Sequence, residues 1–424
     1  MLPYFKKSEK WNAPTDHRNI TGQFDPSVHG FDGLVGVSLP NDLVPIDPLV
    51  INATQQLGGE FSFNLDYNSG KPLGLGWAQN TALQGQRSSS STAYLASQFL
   101  NRPNLSVLVN AQVSRLVQTS HGKTPKFLGV EFRGSDGALH QLKAKKEVIL
   151  SAGAIGTPHI LLNSGIGSSS ALEAVGVKPL VDLPDVGINL SDHAVIGNPW
   201  LANSNDTFET IRRNPDPALA QWEESRTGPY SDAILDHIAF VRVPQALVPS
   251  PDTTAGPNSP HFEIIVSNGL PAFILPSQGN FLALTTIVVS PSSRGSIKLR
   301  SNNPFDAPLI DPALLKSDFD KVAMREAIKS ALKFASAPAW NNYIIGSAAG
   351  LAANETDAAL DAYAAANAGT LFHPVGTASM SKKGATNGVV DPDLKLKKVD
   401  GVRVVDASVL VSLVFDFLVM ADTH

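Results

Sequence analysis

A mixed α/β chain is predicted, with one layer of parallel strands feeding helices and a second domain whose mostly antiparallel sheet is backed by helices. The first layer is read from Val148-Ile149-Leu150, a continuous apolar strand of the kind that parallel sheets bury. It runs straight into Ser151-Ala152-Gly153-Ala154-Ile155-Gly156-Thr157-Pro158 and an apolar helix. The second domain is read from strand-like runs at 233–243, 262–267, 281–290 and 295–299. A third sign is the segment 318–336, where Phe319, Val322, Met324, Ile328, Leu332 and Phe334 recur at helical spacing and mark a helix packed on the core.

With 424 residues the chain has room for two domains and a large core. A net charge of −5 leaves no basic footprint, so no nucleic-acid partner is expected. No apolar run reaches the roughly 18 uncharged residues that a membrane helix needs, so no membrane partner is expected either. Cysteine is absent, which excludes disulfides, thiolate metal sites and cysteine nucleophiles, and no metal centre is expected. Six N-x-S/T sequons, at Asn19, Asn52, Asn104, Asn189, Asn205 and Asn354, are compatible with secretion. The opening MLPYFKKSEKW lacks the apolar stretch of a signal peptide and reads like the inside of a helix.

Taken in order, residues 1–95 are rich in Gly, Pro and Asn and read as an irregular layer over another domain. GQRSSSSTAYL closes it, as a flexible linker or a helix start. From Leu105 the texture turns β-like: Ser106 to Asn110 is a short β-branched run, and Gln112 to Val117 alternates as a half-buried strand does. A strand at Leu128 to Phe132, a hairpin turn at Gly134-Ser135-Asp136-Gly137 and a strand at Leu139 to Leu142 follow. After Val148-Ile149-Leu150 the small residues let the backbone approach a bound group, and Pro158 suits the first turn of a helix. A helix start aimed out of a parallel sheet is a natural anion or cofactor site; the other reading is a tight turn with no ligand.

The chemical centre is placed in LFHPVGTASM, Leu371 to Met380. An imidazole of pKa about 6.5 takes a proton from an alcohol and returns it without large tuning. Phe372 would shield one side of such a site and Pro374 would fix the backbone behind the ring. Against this stands a loop histidine that merely satisfies its own hydrogen bonds.

Four spaced motifs add to this reading. SAGAIGTPHILLNSGIG resembles the second signature of the glucose-methanol-choline oxidoreductases, flavoenzymes that oxidise alcohols. Val186 to His193 resembles the family's V-G-x-N-L-x-D-H element, LFHPVGTASM its catalytic-histidine segment, and VVDPDLKLKKVDGVRVVDASV its flavin-contacting stretch. With GQRSSSSTAYL and RPNLSVLVNAQVSRLV, the run is most similar to fungal aryl-alcohol oxidases.

The resemblance implies an incomplete Rossmann-like FAD-binding domain plus a substrate domain. A shared segment would span 1–95, FAD-binding parts 96–194 and 366–424, and the substrate domain 195–365. FAD is the implied cofactor, touched by Val113, Ala152, Gly153, Asp406 and Ala407. His373 would be the general base, with His424 as a second active-site histidine, Phe372 a gate over the substrate and Glu263 an acid behind it. Phe273 is the one aromatic in GLPAFILPS, where relatives carry an aromatic-rich entrance loop. The implied reaction takes a primary, aromatic or allylic alcohol to its aldehyde by hydride transfer to flavin, with O2, or a quinone, as the electron acceptor and hydrogen peroxide as the oxidase product. A secreted monomer is implied as well.

Two departures qualify the likeness. Relatives open on a strand and a G-x-G-x-x-G turn, whereas Gly74-Leu75-Gly76 is followed by Trp77 and Ala78. The run LVSLVFDFLVMA, Leu410 to Ala421, stands where relatives carry an Asn-x-His-Thr-Gln segment. An N-terminally truncated chain that binds FAD poorly is therefore expected. A non-catalytic remnant, or a biosynthetic dehydrogenase or lyase on the same fold, is the alternative.

Overall fold

The computed structural model describes residues 2–120, 122–252, 254–271, 276–352 and 354–411. Its largest element follows from the β-branched runs between residues 194 and 288, which can bury both faces only inside a sheet covered on two sides. Seven strands pair antiparallel in the order Ile344–Ser347, Ala194–Ala202, Phe281–Val288, Phe262–Ser267, Leu235–Val241, Gly74–Trp77, with Gly369–Thr370 also alongside Ala194–Ala202. All eight residues of Phe281–Val288 are buried.

The helix Asp318–Ala335 backs this sheet. Ser317 caps it by accepting from the Asp320 N–H at 3.1 Å, and Asp318 and Asp320 favour its positive end. Its buried stripe, Ala323, Met324, Ala327, Ile328, Ala331 and Phe334, joins Phe262, Val288 and Trp340 in one core. Among the described residues no helix is long and apolar enough to cross a membrane.

A second core lies under the site. The strands Gln112–Ser120, Lys126–Arg133 and Leu139–Lys143 form an antiparallel meander. Its turn closes with the Gly137 N–H donating to the Gly134 carbonyl at 3.0 Å. Val148–Leu150 pairs parallel with Val402–Val404. Leu116, Phe127, Leu150, Leu161, Ile166 and Val404 pack together beneath these strands.

Several expectations are corrected. Residues 1–95 are more regular than their composition suggests: Asp47–Leu57 is a helix and Gly74–Trp77, buried throughout, is the edge strand of the large sheet. Ser106 to Asn110 forms no strand, because no neighbour pairs with it, and Val107, Leu108 and Val109 are exposed. Ile149 is 54% exposed, so the parallel strand is not buried on both faces. Gly295–Lys298 joins a separate three-stranded sheet with Ile188–Leu190 and Leu309–Asp311. The helix after Leu150 starts at Gly153, which puts Pro158 in its second turn. GQRSSSSTAYL resolves into a helix start, the Ser89 side chain and Thr92 forming a reciprocal cap.

The N-terminal layer is clasped by buried charge. His29 Nδ1 lies 2.7 Å from Glu9 Oε1 and Nε2 lies 2.8 Å from Asp66 Oδ2, with the Trp11 ring 4.2 Å away. Burial alone would lower the pKa of His29, but hydrogen bonds to Asp66 and Glu9 outweigh it and raise it to about 9. At the foot of Leu235–Val241, burial and neighbouring carboxylates act the other way. Asp232 is pushed up to about 7 and Asp236 well above the usual carboxylate range, with Asp232 and Asp47 adding to the burial of Asp236.

Candidate active site

The site grows out of one end of the large sheet. Ala194 pairs with Thr370 and Val195 with Gly369, so the residues flanking this short ladder, His193 on one strand and His373 three residues past the other, are brought together. Their Nδ1 atoms lie 3.2 Å apart, with ring centroids 5.3 Å apart and planes at 74°. Both rings are buried, at 2% and 8% exposure.

Asp192 clamps the loop that carries His373. Its Oδ1 accepts from the His193 N–H at 2.8 Å and the His373 N–H at 3.0 Å, and its Oδ2 accepts from the Thr370 hydroxyl. That hydroxyl in turn accepts the Phe372 N–H at 2.9 Å. The clamp holds Phe372 at φ +63, a left-handed conformation costing a bulky residue about 1–3 kcal/mol. Phe372 stands 60% exposed beside the buried His373.

Two further ties fix the loop beyond the histidine. Ser191 and Val375 exchange backbone hydrogen bonds at 3.0 and 2.9 Å. Gly376 follows at φ +91, where an added Cβ would meet the Asn189 carbonyl oxygen at 2.5 Å, so the turn requires glycine. The Thr377 hydroxyl donates to the Ala154 carbonyl at 2.6 Å. That carbonyl has no helical partner because Pro158, four residues on, has no N–H.

Asp406 joins the helix start to the same loop. Its Oδ2 accepts from the Gly153 N–H at 3.1 Å and from the Thr157 hydroxyl, and its Oδ1 accepts from the Ser408 N–H at 2.9 Å and the Ser408 hydroxyl. The turn 407–409 lies along 376–380, with the Gly376 N–H donating to the Ala407 carbonyl at 3.4 Å and the Ala378 N–H to that of Ser408 at 2.8 Å. The structure thus brings His373, Phe372, Gly153, Ala152, Asp406 and Ala407 into one assembly. Val113 lies apart from it, half-buried opposite Phe132 in the meander. Glu263 is in mid-sheet at 3% exposure, between Phe240 and Ile287, on the face it shares with Val195. His424 and Phe273 lie outside the described residues.

The electrostatics keep His193 neutral. Burial, with His373 beside it, lowers the pKa of His193 to about 3. Among the described residues no three acidic or histidine side chains are placed to hold a metal ion. Sequence reasoning missed His193, Asp192, Thr370 and Thr377, although the adjacent Asp-His of the V-G-x-N-L-x-D-H element was the available signal.

The helix start is open to an extended ligand. Ser151 and Ala152 are exposed, an added Cβ at Gly153 would meet nothing within 4 Å, and Ala152 offers no side-chain cap. Exposed Ile149 and Val405 flank it. Small residues at a helix start whose first N–H is met by Asp406, with apolar neighbours beside it, suit a group that is polar along one part and flat and apolar along another.

Residues 1–195 and 291–420 match the N-terminal and C-terminal patterns described as GMC oxidoreductase. The chain is 43% identical over 429 residues to dehydrogenase eriK of Hericium erinaceus, spanning 96% of this chain and 70% of that protein. It is 39% identical over 425 residues to pyranose dehydrogenase 3 of Leucoagaricus meleagris, spanning 97% and 69%. A solved fungal aryl-alcohol oxidase superposes with a TM-score of 0.82 at 24% identity, covering 99% of this chain and 76% of that one, a likeness of fold. On these matches the chain belongs to the GMC oxidoreductase family, and FAD is its cofactor.

Proposed function

We propose that the protein oxidises a hydroxyl-bearing carbon of a small alcohol or sugar to a carbonyl, with His373 taking the hydroxyl proton while bound FAD supplies the hydride acceptor. The observation that carries this reading is the clamped histidine: a buried ring, held through its own backbone N–H by Asp192 and facing a neutral histidine. Nε2 of His373 would meet the substrate hydroxyl, since Nδ1 faces His193. Ala152, Gly153, Asp406 and Ala407 would hold FAD from the helix start, with Val113 further along. Phe372 would cover one flat face of the substrate, which suits both the C–H face of a pyranose and an aromatic ring. Glu263 would act from behind the sheet face.

The names of the relatives favour a dehydrogenase acting on a pyranose hydroxyl, for which the acceptor in this reading is a quinone. The exposed Phe372 ring favours, as a second reading, oxidation of an aromatic alcohol with O2. Supplying the flavin-loaded protein with glucose or with 4-methoxybenzyl alcohol, each with benzoquinone or O2, separates the two. Quinone reduction with glucose is expected, whereas peroxide release with the aryl alcohol alone reverses the assignment. His373→Ala is expected to lower turnover by about 10²–10⁴-fold, and turnover within tenfold of wild type would remove the base.

Export belongs to the same reading. Asn19, Asn52, Asn104, Asn205 and Asn354 are exposed, whereas Asn189 is half-buried and donates to Ser379 Oγ at 3.2 Å, which makes it a poor glycan acceptor. Glycan mapping of the secreted protein tests this, and sugar found on Asn189 would contradict it.

A further inference from the structure

The strand Ala194–Ala202 leads away from His193, and its two faces meet different conditions. Alternate residues point to opposite sides of a sheet, and here Ala194, Ile196, Trp200 and Ala202 are buried in the helix-backed core. The odd-numbered residues line the face that begins at His193, and none of them is fully covered. Gly197 is exposed although it lies on an inner strand of the sheet. An added Cβ there would meet nothing within 4 Å among the described residues, and the same holds at Gly369, which pairs with Val195. On this strand only the Val195 side chain stands between His193 and Gly197.

Directly across the ladder from Gly197 stands Thr285. Opposite residues of an antiparallel pair project to the same face, so its side chain rises beside the bare glycine. Thr285 is 5% exposed, and its hydroxyl has no hydrogen-bond partner among the described residues. The next residue shows the contrast: on the core side, the Thr286 hydroxyl donates to the Ile196 carbonyl at 3.3 Å and accepts from the Asn198 side chain at 3.1 Å. A buried hydroxyl is costly to leave unmet. Nothing holds that of Thr285 in place, so a turn about χ1 suffices to bring it toward the space over Gly197.

We propose that Gly197 and Thr285 form a subsite for a second sugar ring: the protein takes a disaccharide or glycoside whose remote ring lies over Gly197 and shares a hydroxyl contact with Thr285. This rests on the reading of His373 as the base and names the substrate class of that site. His193 and Gly197 are separated by roughly 13 Å of extended chain. One pyranose ring does not span that distance, so a ring reacting at His373 leaves the space over Gly197 to the next unit. The C–H face of that unit rests on glycine backbone while the hydroxyls at its rim reach sideways to Thr285. An aryl group in the same place would leave the threonine hydroxyl unmet.

Turnover of the flavin-loaded protein with maltose and with glucose, benzoquinone being the acceptor for both, gives the preference as a ratio of kcat/KM values. Wild type is expected to favour maltose through a lower KM. Gly197→Leu, which fills the open floor with a side chain, should cut the maltose-to-glucose ratio about tenfold. Thr285→Val, similar in shape but without the hydroxyl, should cut it about threefold to tenfold. A ratio within twofold of wild type in either variant overturns the proposal, as does a wild type that prefers glucose. If Gly197→Leu fails to fold, Thr285→Val carries the test. Calorimetric binding of maltose to the same three proteins separates the subsite from the base. A chain that oxidises neither sugar yet binds maltose, and binds it about tenfold more weakly as Gly197→Leu, keeps the subsite while the assignment of His373 falls. Equal maltose binding by all three proteins, with glucose still oxidised, sinks the subsite alone.

Discussion

The large sheet and the parallel pair Val148–Leu150 and Val402–Val404 are written in the same apolar, β-branched residues, yet they are covered differently. Every residue of Phe281–Val288 is buried, whereas in the pair Leu150, Val402 and Val404 are buried and Ile149 is 54% exposed. Composition made both strands, and layering decided what each could bury. One consequence is a division of labour: the sheet and the helix Asp318–Ala335 hold the larger core, while the candidate site sits on loops tied together by hydrogen bonds at the sheet's end.

That division can be broken by mutation. Phe262, 1% exposed in the larger core, should cost about 3–5 kcal/mol on Phe262→Ala, read as a large fall in melting temperature. A small fall would mean that the sheet is not the main store of stability. Asp192→Ala should cost less, about 1–3 kcal/mol for the donors left unpaired, but should depress kcat out of proportion, because Phe372 is free to leave its left-handed conformation. Equal effects of the two variants on stability and on kcat would erase the distinction.

Titration sharpens the comparison further. His29, with its pKa raised to about 9, lends the N-terminal layer stability that is complete below its unfolded value of about 6.5 and is lost as pH rises through 9. The melting temperature should therefore fall between pH 7 and 9.5, and His29→Gln should flatten that slope while lowering stability at pH 6. Asp236, held protonated mainly by burial, also disfavours the fold as pH rises above about 4, where the unfolded carboxyl ionises. Asp236→Asn should accordingly raise the melting temperature by a few degrees at pH 8 and change little at pH 4. The smallest effect is expected of Ile149→Ala, within about 0.5 kcal/mol, since the side chain is already half in water.

The elements legible in the sequence were those whose own pattern requires them. The runs at 262–267 and 281–290 and the helical stripe from Phe319 to Phe334 each announce a buried face. Gly74–Trp77 escaped because its glycines carry no strand preference; it is a strand only because His237 to Phe240 offers it an edge. Ser106 to Asn110 had the propensity and found no partner. At the candidate site, His373 stands out in the sequence by its local setting, while His193, 180 residues away in sequence, acquires its place only through the pairing of Ala194 with Thr370. Asp192 likewise looks like any acidic residue until the backbone amides it serves are folded around it.

Pro158 has a last consequence. By lacking an amide hydrogen it leaves one helical carbonyl unclaimed, and Thr377 of the loop that carries His373 takes it. A residue at 158 with an amide hydrogen would bring a second donor to that oxygen, which has a lone pair for each; the helix would then share a carbonyl that the proline leaves wholly to the loop.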